Sequence, residues 1–145
     1  GLQKRLFLGN LEAKRDWGHA RDYVEGMHAI LQADKADDFV LSTGETRSVR
    51  EFVQLAFAEV GRSIEWHGKG VQETGVDRTS GKTVVRIDPA YFRPTEVDLL
   101  IGDSSKARQQ LGWKPKTSFA QLVKEMVKGD LDIARREVAN GKHAV

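Results

Sequence analysis

Arg15-Asp16-Trp17-Gly18-His19-Ala20-Arg21-Asp22-Tyr23 is the stretch whose reading decides the fold. It follows the apolar run Leu6-Phe7-Leu8 and opens an amphipathic helix expected from about residue 19. An arginine, a tryptophan and a glycine therefore meet at a strand-to-helix junction. Helix N-termini present unpaired N–H groups and a partial positive charge, which attract phosphates. Arg15 would add a planar, bidentate donor to the same anion. The competing reading of these nine residues is a surface turn around a core tryptophan.

Outward from this stretch, Leu6-Phe7-Leu8 reads as a short strand closed by the turn signal Gly9-Asn10, and Leu11 to Lys14 as a polar connection. Asp16 or the Gly18 region is expected to cap the helix. That helix places Ala20, Tyr23, Val24, Met27, Ile30 and Leu31 at helical spacing, so they are expected to face the core, Met27 included. His28 falls off the stripe. Asp38 to Thr43 reads as a second strand closed by Gly44. Ser48-Val49-Arg50-Glu51 is a capping box, and its helix carries Val49, Phe52, Val53, Ala56, Phe57 and Val60 on one face before Gly61 stops it.

Ile64 to His67 reads as a strand, with no second ligand spaced to make His67 a metal site. The glycine-rich residues 68–82 read as one long loop without a P-loop. Thr83 to Asp88 is a β-branched strand ended by Pro89. Val97 to Gly102 leads to Asp103, a good N-cap for a short helix running to Leu111 and closed by Gly112. Trp113-Lys114-Pro115 is extended. Ser118 and Gln121 form a second capping box for a long last helix carrying Leu122, Val123, Met126, Val127, Leu131 and Ala134, and the tail from about Asn140 is expected to fray.

Tyr91-Phe92-Arg93-Pro94-Thr95-Glu96 is the second stretch of interest. Pro94 pushes Arg93 into an extended conformation. Arg93 can hold an anion, and Glu96 can accept hydrogen bonds from sugar hydroxyls. The plainer alternative is a surface ion pair between them, worth little.

Bulk properties bound the answer. The chain has 145 residues, which suits one domain with a modest core. Hydrophobic residues make up 39% and charged residues 30%, the balance of a globular chain. The net charge of +2 gives no argument for nucleic acid. Cysteine is absent, so disulfides and thiolate metal sites are excluded and a cytoplasmic setting is favoured. No apolar run approaches the roughly 20 residues a membrane helix needs. The chain opens on Gly1 and enters a strand almost at once, so it is expected to be the tail of a larger protein.

Several catalytic kits are missing. No Gly-x-Gly-x-x-Gly opens a strand-helix unit, and no Gly-x-Ser-x-Gly elbow is present. Neither tyrosine, Tyr23 or Tyr91, has a lysine four residues on, because Met27 and Thr95 stand there. The chain is therefore expected to bind rather than to transform.

The Leu8-Gly9-Asn10-Leu11 and Arg15-to-Val24 runs, with Ser48-Val49-Arg50-Glu51-Phe52-Val53, Tyr91-to-Val97 and Leu111-to-Pro115, resemble the C-terminal half of GDP-mannose 4,6-dehydratases, in matching order over residues 6–131. The resemblance implies an α/β fold: a small substrate-binding domain of a Rossmann-type nucleotide-sugar enzyme, three or four helices with short strands, spanning residues 1–145. NADP and the catalytic residues would lie in an N-terminal domain outside this chain. The reaction implied is GDP-mannose to GDP-4-keto-6-deoxymannose plus water, by oxidation at C4, elimination across C5–C6 and return of the hydride to C6. It would feed fucose or rhamnose synthesis in a cytoplasmic homodimer or homotetramer, without nucleic acid or membrane.

By the same resemblance, Arg15 would contact the diphosphate, Arg93 would be a second arginine on that side, and Glu96 would hold the ribose hydroxyls. The Phe7-to-Asn10 backbone would wall the guanine, which places Asn10 among the substrate-binding residues. No catalytic, cofactor or metal residue is expected here. Two alternatives stay open: another nucleotide-sugar epimerase, reductase or dehydratase, or a stand-alone binding module.

Overall fold

The run Leu6-Phe7-Leu8 forms β1 (Leu6–Leu8). The computed structural model describes residues 3–96 and 99–141, so the expectations for Val97, Asp98 and the tail after Gly141 lie outside the described residues. β1 pairs in parallel with β6 (Thr83–Ile87), Leu6 opposite Val85 and Leu8 opposite Ile87. β5 (Thr74–Asp77) and β4 (Ile64–His67) extend this sheet antiparallel, in the order β1-β6-β5-β4. A two-residue ladder joins β2 (Lys14–Arg15) to β3 (Arg47–Ser48). Among the described residues four helices complete the fold: α1 (Ala20–Leu31), α2 (Val49–Ala58), α3 (Ser105–Leu111) and α4 (Phe119–Ala139). The result is the mixed α/β class with short strands that the resemblance implies, where three or four helices are expected.

Both capping boxes form. Ser48 Oγ accepts from Glu51 N while Glu51 Oε2 accepts from Ser48 N, and Ser118 and Gln121 repeat the arrangement. Gly112 closes α3 in the left-handed conformation. Asp103 is not the N-cap residue of α3, which is Ser104, but its Oδ1 accepts from Ser105 N at 2.9 Å.

Leu11 and Ala13 are buried rather than part of a polar connection. Their carbonyls accept from Arg50 N and Val49 N, satisfying the first amides of α2. The 68–82 stretch is not one loop: it contains a 3-10 turn over Gly70–Gln72 and then β5. Glycine there marks a packed strand. A Cβ on Gly75 would sit 2.9 Å from Ile64 and 3.0 Å from Trp66, whose ring crosses over it.

Asp38 to Thr43 forms no strand, because no described strand pairs with it. Side chains hold it instead. Ser42 Oγ donates to the Gly102 carbonyl at 2.7 Å, Ser104 Oγ to the Ser42 carbonyl at 3.1 Å and Lys106 Nζ to the Asp38 carbonyl at 3.0 Å.

α1 turns only part of the expected stripe inward: Tyr23 and Ile30 are half-buried, and Tyr23 stacks on Trp113. Asp22 and Gly26 are buried, whereas Val24, Met27 and Leu31 are 61%, 58% and 80% exposed. At 100° per residue these two sets lie on opposite faces. Trp113 and Leu41 press on Gly26, leaving no room for a Cβ, and Trp113 Nε1 donates to the Asp22 carbonyl at 2.7 Å. The buried side of the helix is centred on a carboxylate and a glycine, with Tyr23 and Ile30 at its edge. α4 buries Leu122 and Val123 near its start, while Met126 and Ile133 are exposed.

Asp22 Oδ2 accepts from Lys116 N at 3.0 Å and Thr117 N at 2.9 Å. Burial alone would raise its carboxyl pKa. The amides of Thr117 and Lys116, the Thr117 hydroxyl and the nearby His19 outweigh burial and hold the pKa below its ordinary value. Such a group stabilises the fold above its unfolded pKa of about 4, and that stabilisation is lost as pH falls through the lower folded value. Asp22→Ala is expected to cost about 2–4 kcal/mol, the scale of two charge-assisted hydrogen bonds. Asp22→Asn is expected to cost less and to flatten the acid limb of stability. Urea midpoints followed from about pH 6 to about pH 3 check both, and an unchanged acid limb in Asp22→Asn would count against this account.

Candidate functional site

Arg15 reaches the site from β2, which the ladder with β3 holds beside the start of α2. Its Nη2 lies 2.8 Å from Glu96 Oε1, and its Nη1 donates to the Lys14 carbonyl at 2.7 Å. The Glu96 side chain is 16% exposed and that of Arg15 32%. This pair is therefore more sheltered than a surface bridge between flexible side chains.

The rest of the opening stretch builds the frame around Arg15. Asp16 does not cap α1. Its Oδ1 accepts from Thr43 N at 3.0 Å and Thr43 Oγ1 at 2.7 Å, and its Oδ2 from Gly44 N at 3.0 Å. The cap is His19, whose Nδ1 accepts from Arg21 N at 3.0 Å. Trp17 Nε1 donates to the Arg47 carbonyl at 3.3 Å, and its ring packs 5.0 Å from that of Phe52. Gly18 lies under the Tyr23 hydroxyl, where a Cβ would come within 2.3 Å. Trp17 and His19 thus have structural partners, and the His19 imidazole already occupies one first-turn amide that a phosphate could have used.

Asn10 and Arg93 meet at the end of β1. Arg93 N donates to Asn10 Oδ1 at 2.8 Å, and Asn10 Nδ2 donates to the Arg93 carbonyl at 2.7 Å. Gly9 lies flat against the Tyr91 carbonyl, so one side of the expected guanine wall is covered by the protein itself. Arg93 is exposed, and among the described residues no hydrogen bond or ion pair engages its guanidinium.

All four sequence-predicted residues therefore gather in one place. Arg15 touches Glu96, Asn10 touches Arg93, and the 93–96 loop joins the two contacts. Sequence reading missed the frame: Asp16 as the tie to Thr43 and Gly44, His19 as the cap, and the amide clamp of Asn10. The adjacent pair Gly9-Asn10, a residue without a Cβ followed by a side-chain amide, was the available signal for the clamp.

Two guanidiniums, Arg15 and Arg93, and one carboxylate, Glu96, meet here, groups chemically able to hold an anion and a hydroxyl. Among the described residues no cluster of three His, Cys, Asp or Glu side chains forms a metal site, and no helix is long and apolar enough to cross a membrane. Among the described residues, β1 runs through Gly9-Asn10 into β2, and the junction from β2 to α1 carries the single glycine Gly18, packed under Tyr23, so neither offers a glycine-rich dinucleotide turn.

The family model described as GDP-mannose 4,6 dehydratase matches residues 1–126. The GDP-mannose 4,6-dehydratase of Sinorhizobium fredii (strain HH103) is 58% identical over 135 residues, covering 93% of this chain and 38% of that protein. The human GDP-mannose 4,6 dehydratase is 54% identical over 128 residues, covering 88% of this chain and 34% of its own length. The structure of RMD from Pseudomonas aeruginosa, complexed with NADPH, matches with a TM-score of 0.65 at 16% identity, covering 86% of this chain and 35% of that one, a likeness of fold. The chain spans little more than a third of the length of these curated relatives. By the family match and the shared sequence, this chain belongs to the GDP-mannose 4,6-dehydratase family.

Proposed function

We propose that this chain is the nucleotide-sugar-binding part of an enzyme that converts GDP-mannose to GDP-4-keto-6-deoxymannose and water. The observation that carries the reading is the convergence of Arg15, Arg93 and Glu96 on one loop of a chain with this family membership. A diphosphate carries two negative charges, and two guanidiniums on one side of a cleft suit it. Arg15 and Arg93 bind the diphosphate, and Glu96 accepts from the ribose hydroxyls while holding the Arg15 guanidinium in place.

Bond making belongs to residues outside this chain. NADP is the cofactor of the whole enzyme and is held elsewhere in the polypeptide, since the residues present do not fit it. We read residues 1–145 as a single C-terminal domain, and the outward stripe of α1, Val24, Met27 and Leu31, as the face that the remaining two-thirds of a family-length protein covers. The cytoplasm is the proposed setting and a homodimer or homotetramer the proposed assembly.

Arg93→Ala in the full-length enzyme is expected to weaken GDP-mannose binding by about 1.5–3 kcal/mol, on the scale of charge-assisted hydrogen bonds. That is roughly a tenfold to hundredfold rise in Kd, readable by calorimetry. Unchanged affinity removes Arg93 from the site. Residues 1–145 alone, given NADP and GDP-mannose, are expected to yield no 4-keto product. Turnover by this piece overturns the division of labour. Product analysis with the complete enzyme separates the dehydratase from an epimerase or reductase.

A further inference from the structure

Arg93 stands on residues 88–96, which form turns and no regular strand or helix. Its cation can serve a diphosphate only if something fixes where the backbone of this loop lies. Two neighbours on β1 do so. Leu8 continues the parallel ladder by accepting from Asp88 N at 2.8 Å, and Gly9 allows the Tyr91 carbonyl to approach where a Cβ would stand 2.3 Å away. Asn10 then accepts from Arg93 N and donates to the Arg93 carbonyl, at 2.8 and 2.7 Å. A planar amide carries one acceptor and one donor side by side, and so matches both backbone groups of a single residue. Aspartate could accept but would face the Arg93 carbonyl with a second oxygen. Three residues on, Glu96 is anchored by Arg15. The loop is thus pinned on either side of Pro94.

We infer that Asn10 is a positioning residue that sets the placement of the Arg93 guanidinium for the nucleotide diphosphate, acting through the Arg93 backbone rather than on the ligand. The inference rests on the reading of Arg93 as a diphosphate ligand. It assigns Asn10 a different role from the direct substrate contact expected of it.

The test is a double-mutant cycle in the full-length enzyme, with GDP as the probe in calorimetry and GDP-mannose as the substrate in kinetics. Asn10→Asp is isosteric, and Asn10→Ala removes both bonds. Asn10→Ala, which loses both bonds, is expected to weaken GDP binding about tenfold, and Asn10→Asp, which keeps the bond from Arg93 N but sets an oxygen against the Arg93 carbonyl, by a similar factor. The KM for GDP-mannose should rise by a similar factor, with a proportionally smaller change in kcat. In the Arg93→Ala background the same changes should have little further effect, because the group they position is gone.

A full additional loss in that background would mean that Asn10 touches the ligand directly, and overturns the inference. So would unchanged affinity in both Asn10 variants while Arg93→Ala alone weakens binding. If Arg93→Ala alone has no effect, the diphosphate role of Arg93 fails first and the inference falls with it. A simple folding defect lowers the active fraction without moving KM. Should Asn10→Ala not fold, the isosteric Asn10→Asp carries the cycle.

Discussion

Two carboxylates, Asp16 and Asp22, hold together what secondary structure does not. Asp16 lies just before α1 and Asp22 in its first turn, and each accepts from the backbone of a segment with no ladder of its own. Asp16 takes the Thr43 and Gly44 amides, and Asp22 takes those of Lys116 and Thr117. Charged acceptors make stronger bonds than neutral ones, and a buried amide without a partner is costly. The two segments therefore lie against the helix start because their amides are satisfied there. Trp113 seals the second junction by packing over Gly26 and donating to the Asp22 carbonyl.

The candidate site inherits this rigidity. Arg15 precedes Asp16 directly, so the tie that fixes the 43–44 turn also fixes the strand from which Arg15 projects. The opposite wall is fixed by Asn10 and Gly9 at the end of β1. A long arginine loses much rotamer freedom when it binds an anion. Holding the Arg15 guanidinium against Glu96 and the Arg93 backbone against Asn10 places part of that ordering in the fold itself. The two cationic groups come from β2 and from the 93–96 loop, which meet in the Arg15–Glu96 contact.

Much of the fold was legible in the sequence where the signal is local. Both capping boxes, the left-handed Gly112, and the strands at 6–8, 64–67 and 83–87 follow from side chains bonding to their own backbone neighbours or from short β-branched and apolar runs. The site residues Arg15, Arg93 and Glu96 were legible as types suited to an anion and a sugar. The reading failed where a distant partner decides. Asp38 to Thr43 has strand composition but no strand beside it. Gly75 has loop composition but sits beneath Trp66. Val24, Met27 and Leu31 of the α1 stripe have core composition but face away from this layer, because Asp22 and Gly26 offer the complementary side.

By itself, then, the sequence determined the helices that carry their own caps, the apolar runs that must pair, and the presence of two arginines and a glutamate of types suited to an anion and a hydroxyl. These are properties of neighbours along the chain, set by bond geometry and side-chain chemistry. Only the tertiary structure decided which face of α1 is buried, that Asp16 and Asp22 clamp remote segments, and that Asn10 grips Arg93 while Arg15 grips Glu96. Those contacts join residues more than 80 positions apart within the site. A composition or period along one segment carries no information about which partner arrives from so far away, since that is fixed by how the layers close.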